Sequence, residues 1–383
     1  MYRASNPGHP LPLLAQLGQS VWLDYIHRRL LTSGELKTLI EKQGVRGVTS
    51  NPTIFQQAIG GSDAYDDAIA RHAAAGLDAV GIYEALAIED IQTACDLFGP
   101  IYDMAGGGDG FVSMEVSPLL ARDTAGTLAE ARRLWRAVGR PNVMIKIPGT
   151  QEGLPAVTDA IADGINVNIT LLFAVERYQQ VIDAYLAGLE RRVAAGQSIE
   201  RVRSVASFFV SRVDTEVDQR LEQLVAAGGT PGERAGRLLG TAAIANAKRA
   251  YQTYVTNFEG ARFRTLMGQG AAVQRPLWAS TGTKNPKYAD TLYVDNLIGP
   301  DTVNTMPPAT LEAFGQHGVA RRTIDDGVDE ARAQLDGLEP LGIRLGEVTD
   351  LLEVDGVKKF ADSFTALLGA VAAKRGKLAA ARA

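Results

Sequence analysis

The residues that could do chemistry are gathered around one lysine. Lys146 stands inside Asn142-Val143-Met144-Ile145-Lys146-Ile147-Pro148-Gly149-Thr150, an apolar run closed by a Pro-Gly turn, which reads as a buried strand. Alternation puts Val143, Ile145 and Ile147 on one face and Met144 and Lys146 on the other. A free lysine amine titrates near ~10.4, and bringing such a value down by about three units means destabilising the ammonium by on the order of 4 kcal/mol. Desolvation can do this, and the product is an amine able to form a Schiff base with a carbonyl. A lysine whose head reaches solvent or pairs with a carboxylate is the plainer alternative.

The same alternation sorts other short runs. Asp24 shares a face with Trp22, Thr49 and Asn51 with Gly47, and Ser113, Glu115 and Ser117 with Phe111. Asn166, Asn168 and Thr170 fall together, as do Val205, Ser207 and Phe209, and Trp278 with Ser280. An apolar interior does not accept so many polar groups without water, a ligand or mutual pairing. As a reactive set they have a definite competence. Lys146 attacks a ketone; a carboxylate takes the proton from a substrate hydroxyl, and the adjacent carbon–carbon bond breaks into the iminium. The other carboxylate serves imine dehydration and hydrolysis through a water held by Thr170, while Asn51 and Asn168 hydrogen-bond sugar hydroxyls. This is class I aldol chemistry, for which no metal and no cofactor is expected. The competing reading is a polar barrel plug with Lys146 salt-bridged to Glu115 or Asp24.

Such residues need strands to hold them. Strands are expected at 21–26, 47–52, 111–116, 142–148, 165–172, 204–210, 276–280 and 302–306. Between them lie helical patterns, beginning with one opened by Ser33 and ended by Gly44. A longer helical stretch at 62–98 is broken near Gly76, and a long helix from about 347 closes the chain. Strand–helix alternation without a linker predicts an α/β fold, a single (β/α)8 TIM barrel over residues 1–383. Its barrel strands span about 21–307, with additional C-terminal helices at about 309–383. An open doubly wound sheet is disfavoured because no GxGxxG turn follows the first strand. The glycines at 106–110 precede a strand and are read as a turn at the bottom of the barrel, not as a phosphate cradle. The cations Lys374, Arg375 and Lys377 are read as a match to the dipole of the last helix.

Composition excludes other classes. The 383 residues are 46% hydrophobic and 22% charged, with a net charge of −5, which leaves no electrostatic footprint for nucleic acid or an anionic membrane. No apolar run approaches the ~20 residues of a membrane span, and residues 1–19 do not read as a signal peptide. Cys95 is the lone cysteine, so no intrachain disulfide is possible and a cytoplasmic location is expected. His9, His27, His72 and His317 form no metal-binding pattern.

Thr49-Ser50-Asn51-Pro52-Thr53, Met114-Glu115-Val116-Ser117-Pro118, Met144-Ile145-Lys146-Ile147-Pro148 and Asn166-Val167-Asn168-Ile169-Thr170-Leu171-Leu172-Phe173 resemble the transaldolase family, in order, along residues 21–307. The resemblance implies transfer of a dihydroxyacetone unit in the pentose phosphate pathway. The unit would pass from sedoheptulose 7-phosphate or fructose 6-phosphate to erythrose 4-phosphate or glyceraldehyde 3-phosphate. It also implies roles: Lys146 for the Schiff base, Asp24 as acid/base, Glu115 and Thr170 for the catalytic water, Asn51, Asn168 and Ser207 for the substrate, and Arg212 for phosphate. The stretch Ala279-Ser280-Thr281-Gly282-Thr283-Lys284 is similar to the longer branch of the family, in which a lysine takes the place of a second phosphate-binding arginine. Ser280 and Lys284 are the corresponding candidates. That branch includes fusions with a sugar-phosphate isomerase, which this chain is expected to lack. Two other functions stay open: a fructose 6-phosphate aldolase-like lyase and a non-catalytic sugar-phosphate binding protein. In the lyases a glutamine replaces the glutamate of strand three and a tyrosine stands where Phe209 lies, so Glu115 and Phe209 favour transfer. Sugar phosphates are the expected partners, with no nucleic acid and no membrane. Monomer and homodimer are equally compatible with the sequence.

Overall fold

The computed structural model describes residues 9–380, and its centre is a closed barrel of eight parallel strands in sequential order. After α1 (Pro10–Gln16) come β1 (Gln19–Leu23), α2 (Arg28–Thr32), α3 (Glu35–Gln43) and β2 (Val45–Val48). Three helices follow, α4 (Pro52–Gly60), α5 (Asp66–Ala74) and α6 (Ala79–Met104), then β3 (Phe111–Glu115) and α7 (Thr124–Val138). Next are β4 (Val143–Pro148), α8 (Gly153–Ala162), β5 (Val167–Leu172), α9 (Val175–Ala194) and β6 (Ser204–Phe209). Four helices, α10 (Ser211–Ala227), α11 (Gly229–Gly236), α12 (Ala242–Phe258) and α13 (Ala261–Met267), lead to β7 (Gln274–Ala279). Then come α14 (Leu292–Asn296), β8 (Thr302–Met306), α15 (Pro308–His317), α16 (Val328–Asp336) and α17 (Leu345–Ala380).

Closure comes from β1 pairing with both β2 and β8, with Gln19 opposite Thr302 and Trp22 opposite Gly47. The small residue at 47 is required: a Cβ there would sit 2.6 Å from the Trp22 ring, which fills the lower barrel. Below it, Ser20 Oγ and Trp22 Nε1 donate to the Asp109 carboxylate, which also meets Arg275. Asp109 hangs from the glycine turn at 106–110, so that turn is a structural element of the barrel floor, as expected. Gly110 has φ 85°, and a Cβ there would lie 2.6 Å from the Tyr102 amide nitrogen.

Every expected strand is present, the eighth with the expected ends and the others with shifted ones. The first begins at Gln19, because residues 19 and 20 already pair with β8, and it stops at Leu23. The second ends at Val48, four residues short of expectation. Asn51 caps α4 by accepting from the Ile54 amide at 2.9 Å, and Pro52 opens that helix. A helix at this point was absent from the sequence reading, although an Asn-Pro pair is a good helix start. The break at Gly76 is real (φ 88°), but α6 runs on through Pro100 to Met104, carrying Ile101 and Tyr102 into the core. Ser33 accepts from the Glu35 amide, while Gly34 holds the cap position of α3.

The terminal cations need a correction. Lys374 does not simply complement a helix dipole; its Nζ reaches Asp66 at 2.7 Å and ties α17 to α5. No helix among the described residues is long and apolar enough to cross a membrane.

Candidate active site

Register brings the first three polar residues into one row. Glu115 on β3 is the partner of Lys146 on β4, which is in turn the partner of Asn168 on β5. Lys146 is 4% exposed. Its Nζ donates to the Ser50 carbonyl at 3.1 Å and lies 3.4 Å from Glu115 Oε2. The ion pair named as the competing reading therefore exists, within a larger arrangement that a plug would not need.

That arrangement is a cavity of about 200 Å³ at the C-terminal end of the strands, where barrel enzymes carry their sites. Seven of the ten expected site residues line it: Asp24, Asn51, Lys146, Ser207, Arg212, Ser280 and Lys284. Glu115, Thr170 and Asn168 do not line it. Asn168 lies in a buried chain across the barrel, donating to Ser113 Oγ at 2.9 Å and accepting from Ser207 Oγ at 2.7 Å. Ser207 is thus braced from below while it faces the cavity. A larger cavity of about 550 Å³ opens between α4, α6, α7 and α17 and touches Glu115, but its walls are mostly apolar and Lys146 is not among them.

Asp24 sits just past β1, its amide bonded to the Met306 carbonyl. Its Oδ1 accepts from Thr49 Oγ1 at 2.7 Å, and that hydroxyl also meets Thr305 Oγ1 at 2.6 Å. Burial pushes the Asp24 carboxyl up, while Lys146, the Thr49 hydroxyl, Lys284 and Arg212 all pull the other way. Burial also dominates at Glu115 and, against the pull of Lys146, pushes it from 4.5 up to about 7; the charge of Asp24 adds to the rise. Apart from the Lys146 ammonium beside Glu115, neither Glu115 oxygen nor the fully buried Thr170 hydroxyl has a polar partner among the described residues. Buried polar groups are almost always satisfied, so these atoms mark where a water or a substrate hydroxyl belongs.

The cationic side of the cavity is built by the loops after β6 and β7. Arg212, near the start of α10, stacks over the Phe209 ring at 5.2 Å. Burial lowers its pKa from the ordinary arginine value, and Asp24 and Asp355 support its charge. Glu216, one helical turn on from Arg212, pairs instead with Arg220 at 2.9 Å. Ser280 adopts φ 56°, and its Oγ meets Ser211 Oγ at 2.9 Å. This joins the start of α10, which carries Arg212, to the loop that carries Lys284. Further out, Tyr293 donates to Asp214 at 2.9 Å and Tyr288 to Asp218 at 2.7 Å, locking the same loops through α10.

Sequence reasoning missed Thr305, Thr53 and Phe360, all of which line the cavity. Alternation along β8 could have found Thr305. Nothing local marks Phe360, which arrives from the middle of α17. No group of three or more possible metal ligands occurs among the described residues.

Comparison with known proteins agrees with this geometry. Residues 21–371 match the family model described as Transaldolase/Fructose-6-phosphate aldolase. A protein named Transaldolase from Parafrankia sp. is 50% identical over 371 residues, 97% of this chain and 99% of that one. One of the same name from Thermobifida fusca is 50% identical over 366 residues, covering 95% of this chain and 98% of its own. Transaldolase 1 of Streptomyces coelicolor is 51% identical over 362 residues, 94% of this chain and 93% of its own. Matches of that extent show that the chain belongs to the transaldolase/fructose-6-phosphate aldolase family.

Proposed function

We propose that the chain is a transaldolase that moves a dihydroxyacetone unit between sugar phosphates through a Schiff base on Lys146. The observation that carries this reading is the buried Lys146 beside Glu115, at the floor of a cavity whose other wall holds Asp24, Arg212 and Lys284. The Lys146 amine attacks the ketone of sedoheptulose 7-phosphate or fructose 6-phosphate. Glu115 exchanges protons with the water lost on imine formation, and that water is held between Glu115 and Thr170. Asp24 takes the proton of the hydroxyl next to the scissile bond, the carbon–carbon bond breaks, and its electron pair enters the iminium. The aldose phosphate leaves, erythrose 4-phosphate or glyceraldehyde 3-phosphate enters, and the steps reverse. Asn51 and Ser207 orient the sugar hydroxyls, Asn168 acts on the substrate only by bracing Ser207 from below, and Arg212 with Ser280 and Lys284 holds phosphate. Asn51 spends its oxygen on the α4 cap and has its amide nitrogen for a ligand.

A single buried cysteine suits a reducing compartment, and we place the enzyme in the cytoplasm. The lyase alternative is disfavoured by Phe209, which offers no hydroxyl to protonate the lysine-bound carbanion. Incubation with fructose 6-phosphate and borohydride is expected to inactivate the enzyme and leave a covalent adduct on Lys146. Full activity with no adduct, or an adduct elsewhere, would refute the mechanism. Fructose 6-phosphate alone should turn over slowly, and erythrose 4-phosphate should speed glyceraldehyde 3-phosphate release by orders of magnitude.

A further inference from the structure

The helix α17 is pinned over the mouth of the barrel. Glu353 lies 3.6 Å from both Arg122 and Arg177, Ser363 Oγ accepts from Thr53 Oγ1 at 2.9 Å, and Lys374 reaches Asp66 at 2.7 Å. Gly356 lets it come close, since a Cβ there would already sit 3.0 Å from Leu171 Cδ2. From this fixed helix one side chain enters the cavity. Phe360 is 4% exposed, and its ring centre is 5.8 Å from Lys146 Nζ. It is the one residue beyond β8 and its Pro307 among the described lining residues, and it stands with Phe209 as the aromatic surface of the cavity. One turn later Phe364 faces away from this cavity into the larger apolar one, its ring 5.4 Å from that of Tyr83.

The aldol chemistry uses no aromatic ring at this place, so the ring needs another reason. Once the carbon–carbon bond is broken, the three-carbon unit on Lys146 has two fates. It forms a bond to the carbonyl carbon of an aldehyde acceptor, or it takes a proton on carbon. In the second case water adds to the resulting iminium, the carbon–nitrogen bond breaks, and the water oxygen leaves as the ketone oxygen of dihydroxyacetone with Lys146 restored as the amine. Both fates end in hydrolysis through the water held by Glu115 and Thr170, so what separates them is the proton on carbon, which solvent reaching the bound unit would supply. We propose that Phe360 is a positioning residue for transfer: held by α17, its ring closes the space above Lys146 to bulk water and sets the partition of the bound unit between aldehyde and water. This rests on the transaldolase reading given above.

The test measures dihydroxyacetone release from fructose 6-phosphate without acceptor, and transfer to erythrose 4-phosphate, in the full-length protein and in Phe360→Ala, Phe360→Leu and Phe364→Leu. Phe360→Ala is expected to raise the ratio of release to transfer by about tenfold or more, and Phe360→Leu by a smaller factor. Phe364→Leu, on the same helix but facing the other cavity, is expected to leave the ratio unchanged. A loosened α17 without a role in partition would lower both rates together, so a constant ratio in the Phe360 variants overturns the proposal. A matching rise in Phe364→Leu also overturns it, because the effect would then belong to the helix and not to the ring. If Phe360→Ala does not fold, Phe360→Leu decides. Borohydride trapping in the parent separates the two levels: no adduct and no transfer there would count against the transaldolase reading itself.

Discussion

Asp214 offers a test that does not depend on substrate. It lies in the first turn of α10 and is 1% exposed. Its Oδ1 accepts from the Ala243 amide at 2.7 Å, and its Oδ2 from the Tyr293 hydroxyl at 2.9 Å. Burial outweighs both bonds and, with repulsion from Asp218, pushes the carboxyl from 3.8 up to about 7. The folded chain therefore holds a proton that the unfolded chain has released between those two values. Stability falls as pH rises through that window, and the loss is complete above it. Roughly three units, at about 1.36 kcal/mol each, give an upper figure of about 4 kcal/mol. Asp214→Asn keeps an acceptor for Ala243, can donate to the Tyr293 oxygen and never ionises. The variant should be more stable than the parent by up to about 4 kcal/mol near pH 8, and the advantage should vanish near pH 4. Urea unfolding at a series of pH values measures this directly. Parallel stability curves for the two proteins would refute the reasoning.

Arg212→Ala should raise KM for phosphorylated donors by about 10–100-fold while leaving free dihydroxyacetone much less affected, since charged hydrogen bonds to phosphate contribute about 1.5–3 kcal/mol; equal effects on both would make Arg212 structural. The pH profile of transfer should show an inflection near the value of about 7 that burial gives Glu115, and Glu115→Gln should remove it; an inflection that survives the substitution belongs to another group.

The strands were legible because period-two alternation is a strong signal, and it placed Lys146, Glu115, Asn168, Thr170 and Ser207 in the barrel interior. Their ends were less so, because a strand stops where its neighbour stops pairing, as β1 and β8 do at Leu23 and Met306. Asn51 carried two signals at once: it reads as a strand residue by parity and as a helix cap by chemistry, and the cap prevailed. Phe360 and the Asp214–Tyr293 bond depend on contacts between elements remote in sequence, and no local pattern announces them. The seven lining residues that were anticipated all lie within a residue or a few of a strand's C-terminal end, where barrel topology makes position predictable.

The two carboxylates invite a last distinction. Both are pushed up by burial, but their surroundings differ. The charged form of Asp24 is favoured by the Thr49 hydroxyl and by three cations, Lys146, Lys284 and Arg212. Glu115 has Lys146 alone to favour its charge, with no hydroxyl or second cation beside it. Environments that separate two carboxylates in this way separate their tasks. Asp24, which lines the cavity under the cations, suits a base that removes a substrate proton, and Glu115, off the cavity beside Lys146, suits a group that passes a proton to and from water. The two amide variants should then fail at different steps. Asp24→Asn should still form the imine, so borohydride with fructose 6-phosphate should label Lys146 at nearly the parental rate, while aldose release falls by about 10²–10⁴-fold. Glu115→Gln should slow the labelling itself. Equal labelling rates in the two variants, with equal losses of aldose release, would show that the carboxylates act as one unit and that the division of labour is wrong.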